Sequence, residues 1–200
     1  MHRPEELRSE SCLAAIEFLL GMQCSNGGWA CFDNWDNRNH WLNKTPFGKG
    51  NEFFDPTVPD ITGRMLECFG LLLETNDSFV QKTGKMLVDE ILYLRLKHAC
   101  FMAIEYLASE QTPEGLWQSR WHVNYINGTC SVLCGIKFFL KDISNTLGND
   151  TLERLAHKPL AWLKSMQNED GGWGESVSTY RSPSGAGRGA STATQSAWVS

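Results

Sequence analysis

Three times along the chain a glutamine is followed four residues later by glycine and six residues later by tryptophan: Gln23, Gly27 and Trp29; Gln111, Gly115 and Trp117; Gln167, Gly171 and Trp173. Each copy comes after an apolar series at helical spacing: Leu13, Ile16, Leu19 and Leu20; Ala103, Ile104 and Leu107; Leu160, Leu163 and Met166. The repeated unit is therefore a helix, a glutamine, a turn and a tryptophan. Glycine ends the helix by taking the left-handed backbone conformation, which lets the tryptophan fold back so that its ring lies against the glutamine amide. A helix pair of this kind buries its second face only against the next copy. The spacing thus predicts an all-α solenoid or closed toroid of repeated helix pairs with Gln/Trp-anchored turns.

Two further apolar patterns, from Ile61 to Leu73 and from Ser131 to Leu140, predict helices between the copies. No stretch alternates with period two over a strand's length. Residues 76–95 read as a weaker, charged helix, and the Ser-, Gly- and Arg-rich segment 176–188 reads as a loop. A new apolar helix starts near Ser191, and little sequence precedes the first one. The expectation is a partial domain over residues 1–200, truncated at both ends.

A net charge of −5, with no Lys/Arg cluster, excludes nucleic acid as a partner, because phosphates demand a basic face. No run approaches the roughly 18 apolar residues of a spanning helix. Any membrane contact must then be made through surface residues. The seven cysteines are scattered and odd in number, and read as reduced thiols, mostly buried. Cys130 and Cys134 stand one helical turn apart, but no second pair completes a metal site. His40, His98, His122 and His157 lack an acid or cysteine at ligand spacing and read as surface or capping residues, while Glu17, Glu67 and Glu105 read as solvated helix faces. No metal and no cofactor is expected. Eight tryptophans and ten phenylalanines are more aromatic mass than helix packing needs, which points to an aromatic cavity or aromatic-anchored turns.

With Asp55-Pro-Thr-Val-Pro-Asp60-Ile-Thr-Gly-Arg64 between the first two copies, the three glutamine–tryptophan motifs resemble the squalene–hopene cyclases, members of the terpene cyclases. Ser119-Arg-Trp121-His-Val-Asn-Tyr125 and Gly187-Arg-Gly-Ala-Ser-Thr-Ala-Thr-Gln-Ser-Ala-Trp198 are similar to that family too. The resemblance implies an α/α barrel with a large aromatic-lined cavity, on a monotopic membrane enzyme facing the cytoplasm that forms a homodimer when full length. It implies squalene or a related triterpene as substrate, cyclised by protonation of a terminal alkene and a cascade of ring closures. An alkene is a very weak base, so the acid must be an aspartic acid strengthened by its partners. The cations that follow need aromatic faces and no trapping nucleophile. The family's proton-donating Asp-x-Asp-Asp motif does not occur in these 200 residues, so this segment is expected to be inactive alone.

Carried over residue by residue, the resemblance makes Asp60 and Arg64 the catalytic support of the proton donor. They stand four apart on one predicted helix, so both can point to one side. On the residues alone, Asp60 is an N-cap and Arg64 its surface partner. Arg64 stands where well-studied members carry histidine; an always-charged guanidinium orients a carboxyl and does not relay a proton. Trp121, Phe32 and Phe47 match substrate-contacting aromatics, with helix packing as the plain alternative for Trp121. Phe32 lies where the family often has tyrosine, and Asn127 where tyrosine is common. The stretch from Gly70 to Gln111 exceeds the family's usual spacing, and residues 76–95 are read as the insertion. Three rivals stand beside a squalene-using enzyme: an oxidosqualene (sterol-type) cyclase, a non-catalytic helical toroid that binds lipid or protein, and a prenyltransferase-like subunit, for which the zinc ligands lack convincing spacing.

Overall fold

The computed structural model describes residues 4–32, 34 and 55–199, so Phe47 and His40 lie outside the described residues. A 3-10 turn at Pro4–Arg8 leads into α1 (Glu10–Gly21), followed by α2 (Pro59–Thr83), α3 (Glu90–Glu110) and α4 (Tyr125–Ile136). A run of short helical pieces comes next: a 3-10 turn at Lys137–Phe139, α5 (Leu140–Asp142), a π turn at Ile143–Leu147, α6 (Asn149–Leu152) and a π turn at Glu153–His157. After α7 (Lys158–Ser165) and 3-10 turns at Val177–Tyr180 and Pro183–Gly185, α8 spans Ala193–Val199. Among the described residues every regular element is helical, as the apolar periodicity requires.

Local chemistry sets the helix starts. Ser9 accepts the Cys12 N–H at 3.3 Å ahead of α1, and Asp89 accepts the Leu92 N–H at 2.8 Å ahead of α3. The helix α2 has no side-chain cap and opens instead on Pro59, whose fixed φ and missing N–H suit a first helical position. Residues 76–95 depart from the expected separate helix. The first part continues α2 to Thr83, the chain turns at Gly84 (φ 68°), and α3 starts at Glu90. Buried Asn76 closes this hairpin by accepting the Leu87 N–H at 2.9 Å and the Val88 N–H at 3.5 Å. The charges of the segment hid Leu87, Val88 and Leu92, which enter the core at 4%, 7% and 4% exposure.

The core runs between α2, α3 and α4 around Leu66, Phe69, Ala103, Leu107 and Val132, all fully buried. The helices α2 and α4 meet backbone to backbone. A Cβ on Gly63 would stand 2.5 Å from the Ser131 carbonyl oxygen, and one on Gly135 would stand 2.4 Å from that of Gly63, so only glycine permits this approach.

The three glutamine–tryptophan units share one geometry. Their glycines Gly27, Gly115 and Gly171 take φ of 89°, 89° and 84°. Each indole N–H reaches back ten residues to a helix carbonyl: Trp29 to Leu19 at 2.8 Å, Trp117 to Leu107 at 2.7 Å and Trp173 to Leu163 at 2.8 Å. Each glutamine amide donates to the carbonyl of its own turn glycine, at 2.9, 2.9 and 2.8 Å. Gln23 and Gln111 also bridge onward, to the carbonyls of Ala99 and Arg154 at 2.9 and 2.8 Å. A fourth contact lies outside the motif. The backbone N–H of each tryptophan donates to a hydroxyl on a following helix: Thr62 at 3.0 Å, Thr129 at 3.3 Å and Ser196 at 2.9 Å. Each clamp thus closes a helix end and pins the next helix to it.

Candidate active site

Asp60 sits in the first turn of α2, one residue past Pro59, and is 3% exposed. The N-cap position belongs to Val58, so the carboxyl is not a helix cap. Its Oδ2 accepts the Ser119 hydroxyl at 2.5 Å. Its Oδ1 is buried and has no hydrogen-bond partner among the described residues. Such an oxygen costs free energy unless something meets it.

Arg64 is not the surface partner of Asp60 that the residues alone allow. Its guanidinium is half exposed and pairs with Glu67 at 3.1 Å, one turn further on, while Lys137 approaches the other oxygen of Glu67 at 3.8 Å. Among the described residues no hydrogen bond or ion pair links Arg64 to Asp60. The reason is burial. Asp60 turns inward to the 119–124 loop, whereas the long arginine keeps its charge in solvent and takes its i+3 neighbour.

The first copy's turn ends beside the second copy's loop. The ring of Phe32 meets that of Trp121 edge-to-face, with centroids 5.6 Å apart. Both rings are otherwise solvent-facing, at 75% and 50% exposure, and Arg120 lies over the indole at 5.4 Å. Buried Asp55 fixes Phe32 from below: its two carboxylate oxygens accept the N–H groups of Cys31, at 3.1 Å, and of Phe32. The Cys31 thiol is pushed up to about 11 by burial and then by the carboxylates of Asp55 and Asp60. Asp60, Phe32 and Trp121 therefore belong to one cluster.

The loop carrying Ser119 and Trp121 is held from the third copy. The Tyr180 hydroxyl donates its one proton to the His122 carbonyl at 2.6 Å, with the Arg120 carbonyl as a second, longer acceptor at 3.3 Å. Buried Glu175 accepts the N–H groups of Asn124 and Ile126 at 3.2 and 2.9 Å, and Gln195 in turn accepts the Glu175 N–H at 2.6 Å. A cavity of about 800 Å³ opens here, bordered by Pro56, Pro59, Glu110, Ser119, Trp121 and Tyr180. The sequence reading assigned no role to Asp55 and Ser119, although both stand in motifs that carry the resemblance, and did not single out Glu175 and Tyr180. Each acts on a residue more than 20 positions away, and no local pattern marks such a pairing.

His98 and His157 fall away from the site, whereas His122 belongs to its 119–124 loop through its backbone. His98, His122 and His157 are exposed, and His157 pairs with Glu153 at 2.8 Å. Cys24, Cys100 and Cys130 are buried, Cys12, Cys31 and Cys134 are half-buried, and Cys68 is exposed. Among the described residues no three His, Cys, Asp or Glu side chains cluster as a metal site, and Cys130 and Cys134 gain no third ligand.

The family model of the squalene-hopene cyclase C-terminal domain matches residues 1–200. The chain belongs to the squalene–hopene cyclase family. It is similar to squalene hopane cyclase afumA of Aspergillus fumigatus, with 39% identity over 99% of this chain and 28% of that protein. It is 37% identical to the squalene–hopene cyclase of Alicyclobacillus acidocaldarius, over 98% of this chain and 26% of that protein. Dammaradiene synthase of Dryopteris crassirhizoma is 35% identical, over 98% and 27% respectively. The chain thus spans about a quarter of the length of these cyclases. Its helices and clamped turns are those of the C-terminal helical domain in the squalene–hopene cyclase α/α toroid. Among the described residues no helix is long and apolar enough to cross a membrane.

Proposed function

We propose that the protein carrying this chain is a triterpene cyclase that turns squalene into hopene- or hopanol-type pentacycles. The observation that carries this reading is Asp60: a buried carboxyl with one oxygen anchored by Ser119 and the other unmet, beside the Phe32–Trp121 aromatic pair. A carboxyl so placed serves to support a stronger acid, and aromatic faces serve cations that must not be trapped.

In this reading a terminal alkene of squalene takes a proton from an aspartic acid outside these residues. Asp60 meets that acid through Oδ1, and Arg64 acts as an orienting cation. Trp121 and Phe32 line the path of the growing cation, and Phe47 is a further substrate-binding aromatic. A polypeptide restricted to residues 1–200 lacks the Asp-x-Asp-Asp acid and does not turn over squalene. The enzyme sits on one membrane face through surface residues, oriented to the cytoplasm, as a homodimer.

Incubating the protein that carries this chain with squalene and, separately, with 2,3-oxidosqualene, followed by mass-spectrometric analysis of the lipids, tests the proposal. Pentacyclic products from squalene are expected. Products from oxidosqualene alone assign the sterol-type reaction instead, and no product from either assigns a non-catalytic toroid.

A further inference from the structure

We infer that Ser119 is a positioning residue for Asp60: it fixes which carboxyl oxygen is offered to the reaction and ties that carboxyl to the loop bearing Trp121. The inference deepens the cyclase reading and rests on it for the reaction concerned.

Ser119 is 1% exposed, and its hydroxyl is fully committed. It donates to Asp60 Oδ2 at 2.5 Å and accepts the His122 N–H at 3.1 Å. The accepted N–H uses a lone pair of the hydroxyl oxygen, which turns the O–H toward the carboxyl and strengthens it as a donor. The Ser119 backbone N–H is also engaged, donating to the Asn124 carbonyl at 3.2 Å. Neither rotation of the hydroxyl nor drift of the loop is therefore free.

Two consequences follow for Asp60. Oδ2 is taken by a neutral donor inside the protein, so Oδ1 is the oxygen left for an incoming partner. Trp121 lies two residues beyond Ser119, so the same hydrogen bond sets the carboxyl in register with the aromatic wall. Asp60 and Ser119 come from different copies of the repeat, 59 residues apart, and their contact joins α2 to the second clamp.

The test is a double-mutant cycle in the protein that carries this chain, using Ser119→Ala, Asp60→Ala and the pair, read by squalene turnover and by thermal melting. Ser119→Ala is expected to lower kcat roughly ten- to a hundredfold, the range for a lost hydrogen bond to a charged group, and to leave KM within about twofold. Ser119→Thr, which keeps the hydroxyl, is expected to recover most of that loss. On the Asp60→Ala background Ser119→Ala is expected to cost less than about twofold, because the group it acts through is gone.

An undiminished kcat in Ser119→Ala overturns the inference, as does the full loss on the Asp60→Ala background. Should the extra methyl of threonine disturb packing in this closed site, the cycle still decides. Melting separates this inference from the cyclase reading. A protein that turns over no triterpene, yet melts with strong coupling between positions 60 and 119, defeats the proposed reaction and leaves Ser119's hold on Asp60 standing. Additive melting shifts defeat the contact itself.

Discussion

The indole N–H of Trp117 donates to the carbonyl oxygen of Leu107 at 2.7 Å, closing the end of α3 from a turn that the same tryptophan's backbone ties to Thr129. Trp117 is fully buried, so Trp117→Phe leaves the Leu107 carbonyl without a donor and without water. The expected cost is about 1–3 kcal/mol, measured by denaturant unfolding. Trp173→Phe is expected to cost less, because Trp173 is only partly buried and solvent can replace the lost donor.

The glutamines differ in what they hold. Gln111 bridges its own turn to the Arg154 carbonyl, whereas the bond of Gln167 goes to its own turn at Gly171. Gln111→Ala therefore releases two elements from each other and is expected to lower the melting temperature more than Gln167→Ala. Equal shifts would show that the bridge to Arg154 adds nothing.

The α2–α4 seam makes a sharper demand. Gly63→Ala would place a methyl carbon 2.5 Å from the Ser131 carbonyl oxygen, a backbone atom that cannot rotate away. The helices must separate, at a cost of about 1–3 kcal/mol as for other overpacked cores. Gly21→Ala meets nothing within 4 Å at the end of α1 and is the control, with an expected change of no more than about 0.5 kcal/mol. Unfolding of both variants in urea makes the comparison.

Much of this was legible in the sequence because the clamp's internal contacts span ten residues or fewer. Glycine at a left-handed turn, an apolar helix before it and a tryptophan after it are all local, and they repeat. The hydroxyl partners were not found, although a signal existed. Thr62, Thr129 and Ser196 stand 67 residues apart in each interval, a regularity that the uneven spacing of Trp29, Trp117 and Trp173 conceals. The site was half legible. Helical period placed Asp60 and Arg64 on one face, but period does not say which of two polar residues is buried. That outcome depended on Ser119, which reaches Asp60 across 59 residues. The charged segment 76–95 failed for the opposite reason: local polarity outweighed Leu87 and Val88, whose burial depends on Asn76 closing the hairpin.

Alkaline pH is expected to weaken the fold through its buried thiols. Burial pushes Cys100 and Cys130 up to about 12, against an ordinary value of 9.0. A raised folded value means that the native state holds its proton where the unfolded chain has lost it. The contribution to stability is therefore fully present below pH 9.0 and is lost progressively as pH rises toward about 12. Each thiol adds at most about 1.4 kcal/mol per pH unit to that slope. Urea unfolding at a series of pH values across this window should steepen accordingly, and Cys130→Ala should make the fall shallower. A slope indifferent to that substitution would show that Cys130 ionises as freely in the native state as in the unfolded one.

Phe32 and Trp121 touch through an exposed edge-to-face pair, and this separates a pocket wall from a packing contact. A packing tryptophan at half exposure contributes modestly, so Trp121→Ala is expected to change unfolding free energy by about 1 kcal/mol or less. A wall that faces a cation contributes to the barrier instead. Squalene turnover in the protein that carries this chain is then expected to fall by roughly tenfold or more, the worth of a desolvated cation–π contact of about 2 kcal/mol. Trp121→Phe keeps a weaker π face and should fall between wild type and alanine. Phe32→Ala should show the same sign with a smaller loss, because a phenyl ring attracts a cation less than an indole. Stability loss without loss of turnover in Trp121→Ala would return this residue to helix packing. Turnover loss confined to KM would make the pair a docking surface for the substrate chain, with no part in stabilising the cation.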